Sequence, residues 1–138
     1  MLYFAYGSNL HRAGMLSRCP AAVPLGRALL PGHALLFRLW ADVEPRPGAA
    51  VAGGLWRVTP DCLAALDDYE DVASGLYRRV ILRVRPEGAA GEVEALVYRM
   101  TATQRAPPEA EYLAAVLAGC RDFGIDEAPV VAAARAAG

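Results

Sequence analysis

The sequence predicts an α+β domain whose sheet is mainly antiparallel and strongly curved. Three observations predict it. Residues Tyr77 to Val84 and Glu92 to Met100 alternate apolar and polar side chains with a period of two, and the short loop Pro86 to Gly91 makes them antiparallel neighbours. Thr59-Pro60-Asp61 opens a helix with an N-cap, a proline at the first helical position and an acid facing the positive end of the dipole. Leu113, Val116, Leu117, Cys120 and Phe123 recur at helical spacing ahead of Gly124, which fits the residue just past a helix end. At 138 residues and 55% hydrophobic, the chain suits one domain spanning 1–138 with a real core.

In chain order, Leu2 to Tyr6 is a short apolar run rich in aromatics, which suits a strand buried on both faces. Tyr6-Gly7-Ser8-Asn9 then breaks the run with a residue free to take φ > 0 and two short polar side chains that bond readily to nearby backbone. Asn9 or Ser8 stands where it would cap a short helix, Leu10 to Ser17, weakened by Gly14 and ended by Pro20. A buried strand opening into such a turn aims several backbone N–H groups at one point, as a small-anion or carbonyl-oxygen site does. Gly-Ser-Asn is also ordinary turn chemistry, and the residues alone leave both readings open.

Leu25 to Leu30 and His33 to Leu39, divided by Pro31-Gly32, read as a hairpin closed by a type II turn. Glu44 to Ala50, with Pro45, Pro47 and Gly48, reads as an exposed loop. Val51 to Val58 follows as a strand in which Gly53-Gly54 marks a bulge or a close approach of backbone or ligand. The helix opened by Thr59 runs to about Asp68 and buries Leu63 and Leu66. Ser74-Gly75 breaks the chain before the strand Tyr77 to Val84, which sets Val80, Leu82 and Val84 on one face and Arg79 and Arg83 on the other. Ala106-Pro107-Pro108 stiffens the entry to the longest helix, Pro108 to Phe123, and Asp126 is placed to cap a last Ala-rich helix.

Composition narrows the function. The net charge is −1, the pI is about 6.1, and all 14 basic residues are Arg, which argues against a nucleic-acid partner and removes Schiff-base and Walker-type chemistry. Cys19, Cys62 and Cys120 are widely spaced and form neither a disulfide framework nor a zinc pattern. No stretch has the length of a membrane span or the form of a signal peptide, so the expected setting is the cytosol with no membrane partner. His11 and His33 give no metal spacing, and Ser8 with either of them lacks the Gly-x-Ser-x-Gly context of a serine hydrolase. The reading calls for no metal and no cofactor.

Asp67, Asp68, Glu70 and Asp71 crowd four carboxylates at a helix C-terminus, where the dipole and their mutual repulsion oppose ionisation. Any buried member would have a raised pKa, and Glu70, between Tyr69 and Val72 as the chain leaves the helix, is the best candidate for a general acid/base near neutral pH. Tyr77 and Tyr112 are either core aromatics or phenols offered to a pocket, and Tyr112 sits off the apolar stripe of its helix.

Taken together, Tyr6-Gly7-Ser8-Asn9-Leu10 after an aromatic strand, Gly53-Gly54-Leu55-Trp56, Leu66-Asp67-Asp68-Tyr69-Glu70-Asp71-Val72 with Ser74-Gly75-Leu76-Tyr77 behind it, and Ala106-Pro107-Pro108 leading to Tyr112 resemble the γ-glutamylcyclotransferase family and its AIG2-like relatives. The resemblance covers nearly the whole chain in the right order. It implies a small mixed β-barrel with helices around it, Glu70 as the catalytic carboxylate, a substrate-holding loop at Tyr6, Gly7, Ser8, Asn9 and Leu10, and pocket tyrosines at Tyr77 and Tyr112. The implied reaction is attack of a γ-glutamyl substrate's α-amine on its own γ-carbonyl, giving 5-oxoproline. The Tyr-Gly-Ser-Asn-Leu motif looks like the branch acting on γ-glutamyl amino acids. Glu109, where relatives often carry Ser, and the region after Gly124 depart from the pattern. The implied partner is a small γ-glutamyl compound, with the chain acting as monomer or homodimer. A binding module for a small acidic metabolite, or a tailoring enzyme that removes a γ-glutamyl protecting group, stands as the alternative.

Overall fold

A computed structural model describes all residues from Met1 to Gly138. Five strands close into a barrel: β1 (Leu2–Ala5), β2 (Val23–Arg38), β3 (Trp40–Arg57), β4 (Tyr77–Pro86) and β5 (Val93–Met100), in the spatial order β1-β3-β2-β4-β5. Every pairing is antiparallel except β1 with β5, where Tyr3 lies opposite Leu96. The sheet is therefore mixed, as the family resemblance implied. Four helices pack around it, α1 (Arg12–Arg18), α2 (Pro60–Tyr69), α3 (Ala110–Phe123) and α4 (Ala128–Ala136). No helix is long and apolar enough to cross a membrane.

β1 is buried along Tyr3, Phe4 and Ala5, as an unbroken apolar run requires of a strand covered on both faces. Its antiparallel partner is the glycine end of β3, with Phe4 opposite Leu55 and Ala5 opposite Gly54. The two glycines are there for space. A Cβ on Gly53 would stand 2.4 Å from the Ala5 carbonyl and from the Phe4 ring, and one on Gly54 would stand 2.7 Å from the Phe123 ring. The expected close approach is thus that of two core rings.

One expectation is overturned. Pro31-Gly32 does not reverse the chain; β2 runs through it and stays paired with β3, with Pro31 opposite Ala50 and His33 opposite Pro45. Gly32, at φ 70°, is a bulge, and residues 46–49 bow out opposite it. The reversal falls at Leu39, itself at φ 69°, between the paired Arg38 and Trp40. Glu44 to Ala50, read as a loop, is consequently part of β3. A Pro-Gly pair serves a bulge as well as a turn, and only the length of the partner strand decides between them.

The helices match more closely. Thr59 accepts from the Cys62 N–H at 3.3 Å as the N-cap of α2, and Gly124 ends α3 at φ 68°. α2 buries Cys62 and Leu66, with Leu63 only partly covered. α3 starts two residues later than expected, with Glu109 at its N-cap, and the Asp126 carboxylate accepts from the Ala128 N–H at the start of α4. α3 also carries a contact that periodicity does not show. Gly119 lies so close to the opening loop that a Cβ there would meet Leu10 Cβ at 2.4 Å and the His11 N at 2.6 Å.

Candidate active site

The opening loop leaves β1, forms a 3-10 turn over Ser8–Leu10 and only then enters α1 at His11. Neither Ser8 nor Asn9 caps α1, contrary to expectation, because the extra turn carries both side chains away from the helix end and toward α2. Ser8 Oγ lies 2.8 Å from the Tyr69 hydroxyl, and Asn9 Nδ2 donates to Tyr3 Oη at 3.0 Å and to Glu70 Oε1 at 3.4 Å. Gly7 differs from expectation too. Its φ of −117° is not left-handed; the site is tight instead, since a Cβ would sit 3.1 Å from Tyr112 Oη and 3.2 Å from Ala41 Cβ.

Glu70 follows the last turn of α2, its N–H bonded to Leu66 O at 2.8 Å and its backbone at φ −84°, ψ 1°. It stands between two hollows. The outer one, about 390 Å³, is lined by Trp40, Asp68, Tyr69, Asp71 and Leu76, and the inner one, about 20 Å³, by Tyr3, Tyr6, Gly7, Asn9 and Tyr98; Ser8, Glu70, Tyr77 and Tyr112 line both. Larger hollows of about 440 and 630 Å³ lie around Arg27 and Glu87 and contain none of the candidate residues. The pair at Glu70 combines a cavity with a buried carboxyl and buried phenols.

Although the residue as a whole keeps some exposed surface, the carboxyl end of Glu70 is buried, and this burial pushes its pKa up to about 7 against an opposing pull from Arg18. The cause differs from the one expected. Repulsion within the acidic run plays no part, because Asp67 is drawn off into a two-pronged ion pair with Arg79 and also accepts from the Tyr98 hydroxyl at 2.8 Å. That pairing holds the Asp67 pKa below the carboxylate norm. Desolvation by a phenol-lined wall raises Glu70 instead.

The phenols are fixed by backbone. Tyr77 Oη donates to Ala41 O, Tyr112 Oη accepts from Ala41 N at 3.0 Å, and Tyr6 Oη donates to Tyr98 O. Ala41 is therefore gripped at both its peptide groups, and its neighbour Asp42, 3% exposed, is tied to Arg38 Nε and to the Met100 N–H, both at 2.9 Å. Because Tyr112 uses its hydroxyl as acceptor there, its proton stays available to a second partner. Burial pushes Tyr3, Tyr6, Tyr77, Tyr98 and Tyr112 all upward, so the wall remains neutral around pH 7.

Of the residues singled out from sequence, Glu70, Tyr6, Gly7, Ser8, Asn9, Tyr77 and Tyr112 meet at this site. Leu10 does not. It is 1% exposed, beneath Gly119 of α3, and supports the loop without lining either hollow. Sequence reasoning missed Tyr3, Tyr98 and Trp40. The first two lie inside regular strands, where a buried aromatic reads as core; Trp40 follows a reversal that the sequence did not disclose, and its ring meets Tyr112 edge-on at 5.0 Å.

A carboxyl raised to a pKa of about 7 by burial, walled by neutral phenols and set beside a close-packed glycine loop, is an arrangement suited to a small-molecule site. Comparison with known proteins identifies the family. Residues 50–131 match the model of the AIG2-like family. The chain is 32% identical to γ-glutamylcyclotransferase of Mus musculus over 91% of its own length and 73% of that protein, and 32% identical to the Homo sapiens protein of that name over 90% and 72%. A solved γ-glutamyl cyclotransferase superposes with a TM-score of 0.86 at 28% identity, covering 95% of this chain and 85% of that one. YkqA of Bacillus subtilis gives 0.79 at 25% identity, covering 99% of this chain and 53% of that one. The chain belongs to the γ-glutamylcyclotransferase, AIG2-like family of enzymes.

Proposed function

We propose that the protein releases 5-oxoproline from a γ-glutamyl amino acid or γ-glutamyl amine, with Glu70 as the general acid/base. The observation that carries this reading is the Glu70 carboxyl itself, buried next to the Gly7-Ser8 loop with a pKa of about 7. At neutral pH such a group is divided between its base and acid forms, as one carboxyl doing both jobs requires.

In this mechanism ionised Glu70 takes a proton from the substrate's α-ammonium. The freed amine attacks the γ-carbonyl carbon, a C–N bond forms, and the carbonyl oxygen becomes an oxyanion. Collapse breaks the original amide C–N bond as the proton held by Glu70 passes to the departing nitrogen; Glu70, ionised again, takes the second proton from the ring nitrogen and hands it to the released amine, leaving the neutral lactam of 5-oxoproline and an ammonium. Since nucleophile and electrophile belong to one molecule, the protein's main task is to hold the curled conformer. The Gly7 N–H has no backbone or side-chain acceptor, so it is free to donate to the oxyanion or to the substrate carboxylate. Tyr112 has a hydroxyl proton to give as well. The neutral phenols keep out bulk water and present no second acid. The Tyr-Gly-Ser-Asn-Leu loop supports γ-glutamyl amino acids as the substrate branch, and the three free cysteines fit a cytosolic setting.

The test is detection of 5-oxoproline from a panel of γ-glutamyl amino acids, γ-glutamyl amines and glutathione. Product from one class supports the reading and fixes the branch. No product from any compound contradicts it and leaves the fold serving as a binding module.

A further inference from the structure

Arg18, at the end of α1, lines neither hollow of the site, yet its side chain meets two of the residues that do. Its Nε and Nη2 both donate to Asn9 Oδ1, at 3.0 and 2.6 Å, and its guanidinium carbon lies 3.8 Å from the centre of the Tyr69 ring. An arginine has only donors to offer, so the atom it grips must be the amide oxygen. That settles which way the Asn9 amide faces. Nδ2 is left pointing at Tyr3 Oη and Glu70 Oε1. The backbone of Asn9 is pinned as well, its main-chain carbonyl accepting from Trp56 Nε1 at 3.2 Å.

We propose that Arg18 is a positioning residue for the reaction: by holding the Asn9 amide and the Tyr69 ring from behind the cavity wall, it fixes the orientation of the Glu70 carboxyl. The proposal rests on Glu70 as the acid/base group of the reading above. A donor aimed at Glu70 favours its ionised form, whereas a flipped amide would offer an acceptor and favour the protonated one. The ring contact works in parallel, because Tyr69 Oη is the partner of Ser8 Oγ in the substrate loop. One guanidinium therefore braces the loop and the end of α2 against each other.

The groups facing Glu70 from other elements are Tyr3 of β1, Tyr6 just past its end, Tyr77 of β4, Tyr98 of β5 and Tyr112 of α3, all neutral phenols, with Asp68 and Asp71 beside it in the chain. Arg18 is the cation whose charge reaches the carboxyl, and it acts to lower the pKa that burial raises. Removing it must move the titration upward.

The experiment follows the carboxyl carbon of Glu70 by NMR in protein labelled on glutamate, with the resonance assigned by its loss in Glu70→Gln. Wild type, Arg18→Met and Arg18→Lys are titrated, and kcat and KM are measured across the same pH range. Arg18→Met is expected to raise the Glu70 midpoint by about one pH unit, the size of effect one neighbouring cation has on a carboxyl. Its kcat at pH 7 should fall by roughly tenfold with little change in KM, since the group removed does not touch substrate. Arg18→Lys keeps the charge but not the two-pronged grip, so its midpoint stays near wild type while kcat still falls. An arginine acting through its charge alone would move the titration in Arg18→Met but leave kcat of Arg18→Lys at the wild-type value. An unchanged midpoint in folded Arg18→Met, or wild-type kcat in Arg18→Lys, overturns the proposal; the lysine variant alone decides if the methionine variant does not fold. A shifted midpoint with a pH–rate profile that fails to follow it supports the Arg18 arrangement and refutes Glu70 as the base, so the two readings fail separately.

Discussion

Glu70→Gln should make the protein more stable at the pH where it abolishes activity. Burial holds the folded carboxyl at a pKa of about 7 against an ordinary value of 4.5. Below about pH 4 both folded and unfolded states bind the proton, and the glutamine variant should match wild type. Between 4.5 and 7 the unfolded chain releases its proton while the folded one keeps it, so wild type loses stability as pH rises; above 7 the loss is complete. At 1.36 kcal/mol per pH unit the gap amounts to about 3 kcal/mol, and roughly 2 kcal/mol after allowance for the partial exposure of the residue. Glutamine keeps the shape and the acceptor oxygen facing Asn9 Nδ2 but carries no charge to desolvate. For a chain of this length the gain corresponds to about 7 to 10 °C in Tm at pH 8, shrinking to near zero at pH 4. Thermal unfolding of both proteins followed by circular dichroism between pH 4 and 8 is the assay. A difference in Tm that does not grow with pH, or a glutamine variant less stable than wild type at pH 8, would refute the assignment of Glu70 as a desolvated carboxyl.

Three further substitutions probe the frame around it. Gly119→Val forces side-chain atoms into Leu10 and the His11 backbone, so it should cost about 1 to 3 kcal/mol in denaturant unfolding and lower kcat by shifting the loop that carries Ser8 and Asn9. Gly7→Ala crowds Tyr112 Oη and Ala41; stability should change by about 1 kcal/mol while kcat/KM falls by roughly tenfold or more, as measured by 5-oxoproline release. Thr59→Ala removes the cap of α2 at its far end from Glu70 and should lower unfolding free energy by about 1 kcal/mol with kcat unchanged.

What the sequence disclosed, and what it hid, divides along physical lines. Local rules located the start of α2 and the end of α3, since Thr59 and Gly124 act through bonds to their own neighbours. Alternation placed Val80, Leu82 and Val84 on the inward face of β4, and Val84 is fully buried. The barrel closure was not local. It depends on one parallel contact between Tyr3 and Leu96, far apart in the chain, and it was anticipated only through family resemblance. Pro31-Gly32 misled because the same dipeptide suits a bulge and a turn, and Glu44 to Ala50 misled because prolines there sit in a strand bowed out opposite the bulge. At the site, Glu70 was legible but for a partly mistaken reason. Its raised pKa comes from the phenols folded over it, two of which, Tyr3 and Tyr98, look like plain core residues in their strands. Arg18 gave no signal at all, since its partners Asn9 and Tyr69 meet only in three dimensions.

The measurement that tests the central claim most directly is the rate of 5-oxoproline release by wild type and Glu70→Gln on one γ-glutamyl substrate, with both proteins shown to be folded. Release by wild type, with the variant reduced by at least about a hundredfold, is the predicted result for loss of the only acid/base. Wild-type turnover by Glu70→Gln would contradict the account.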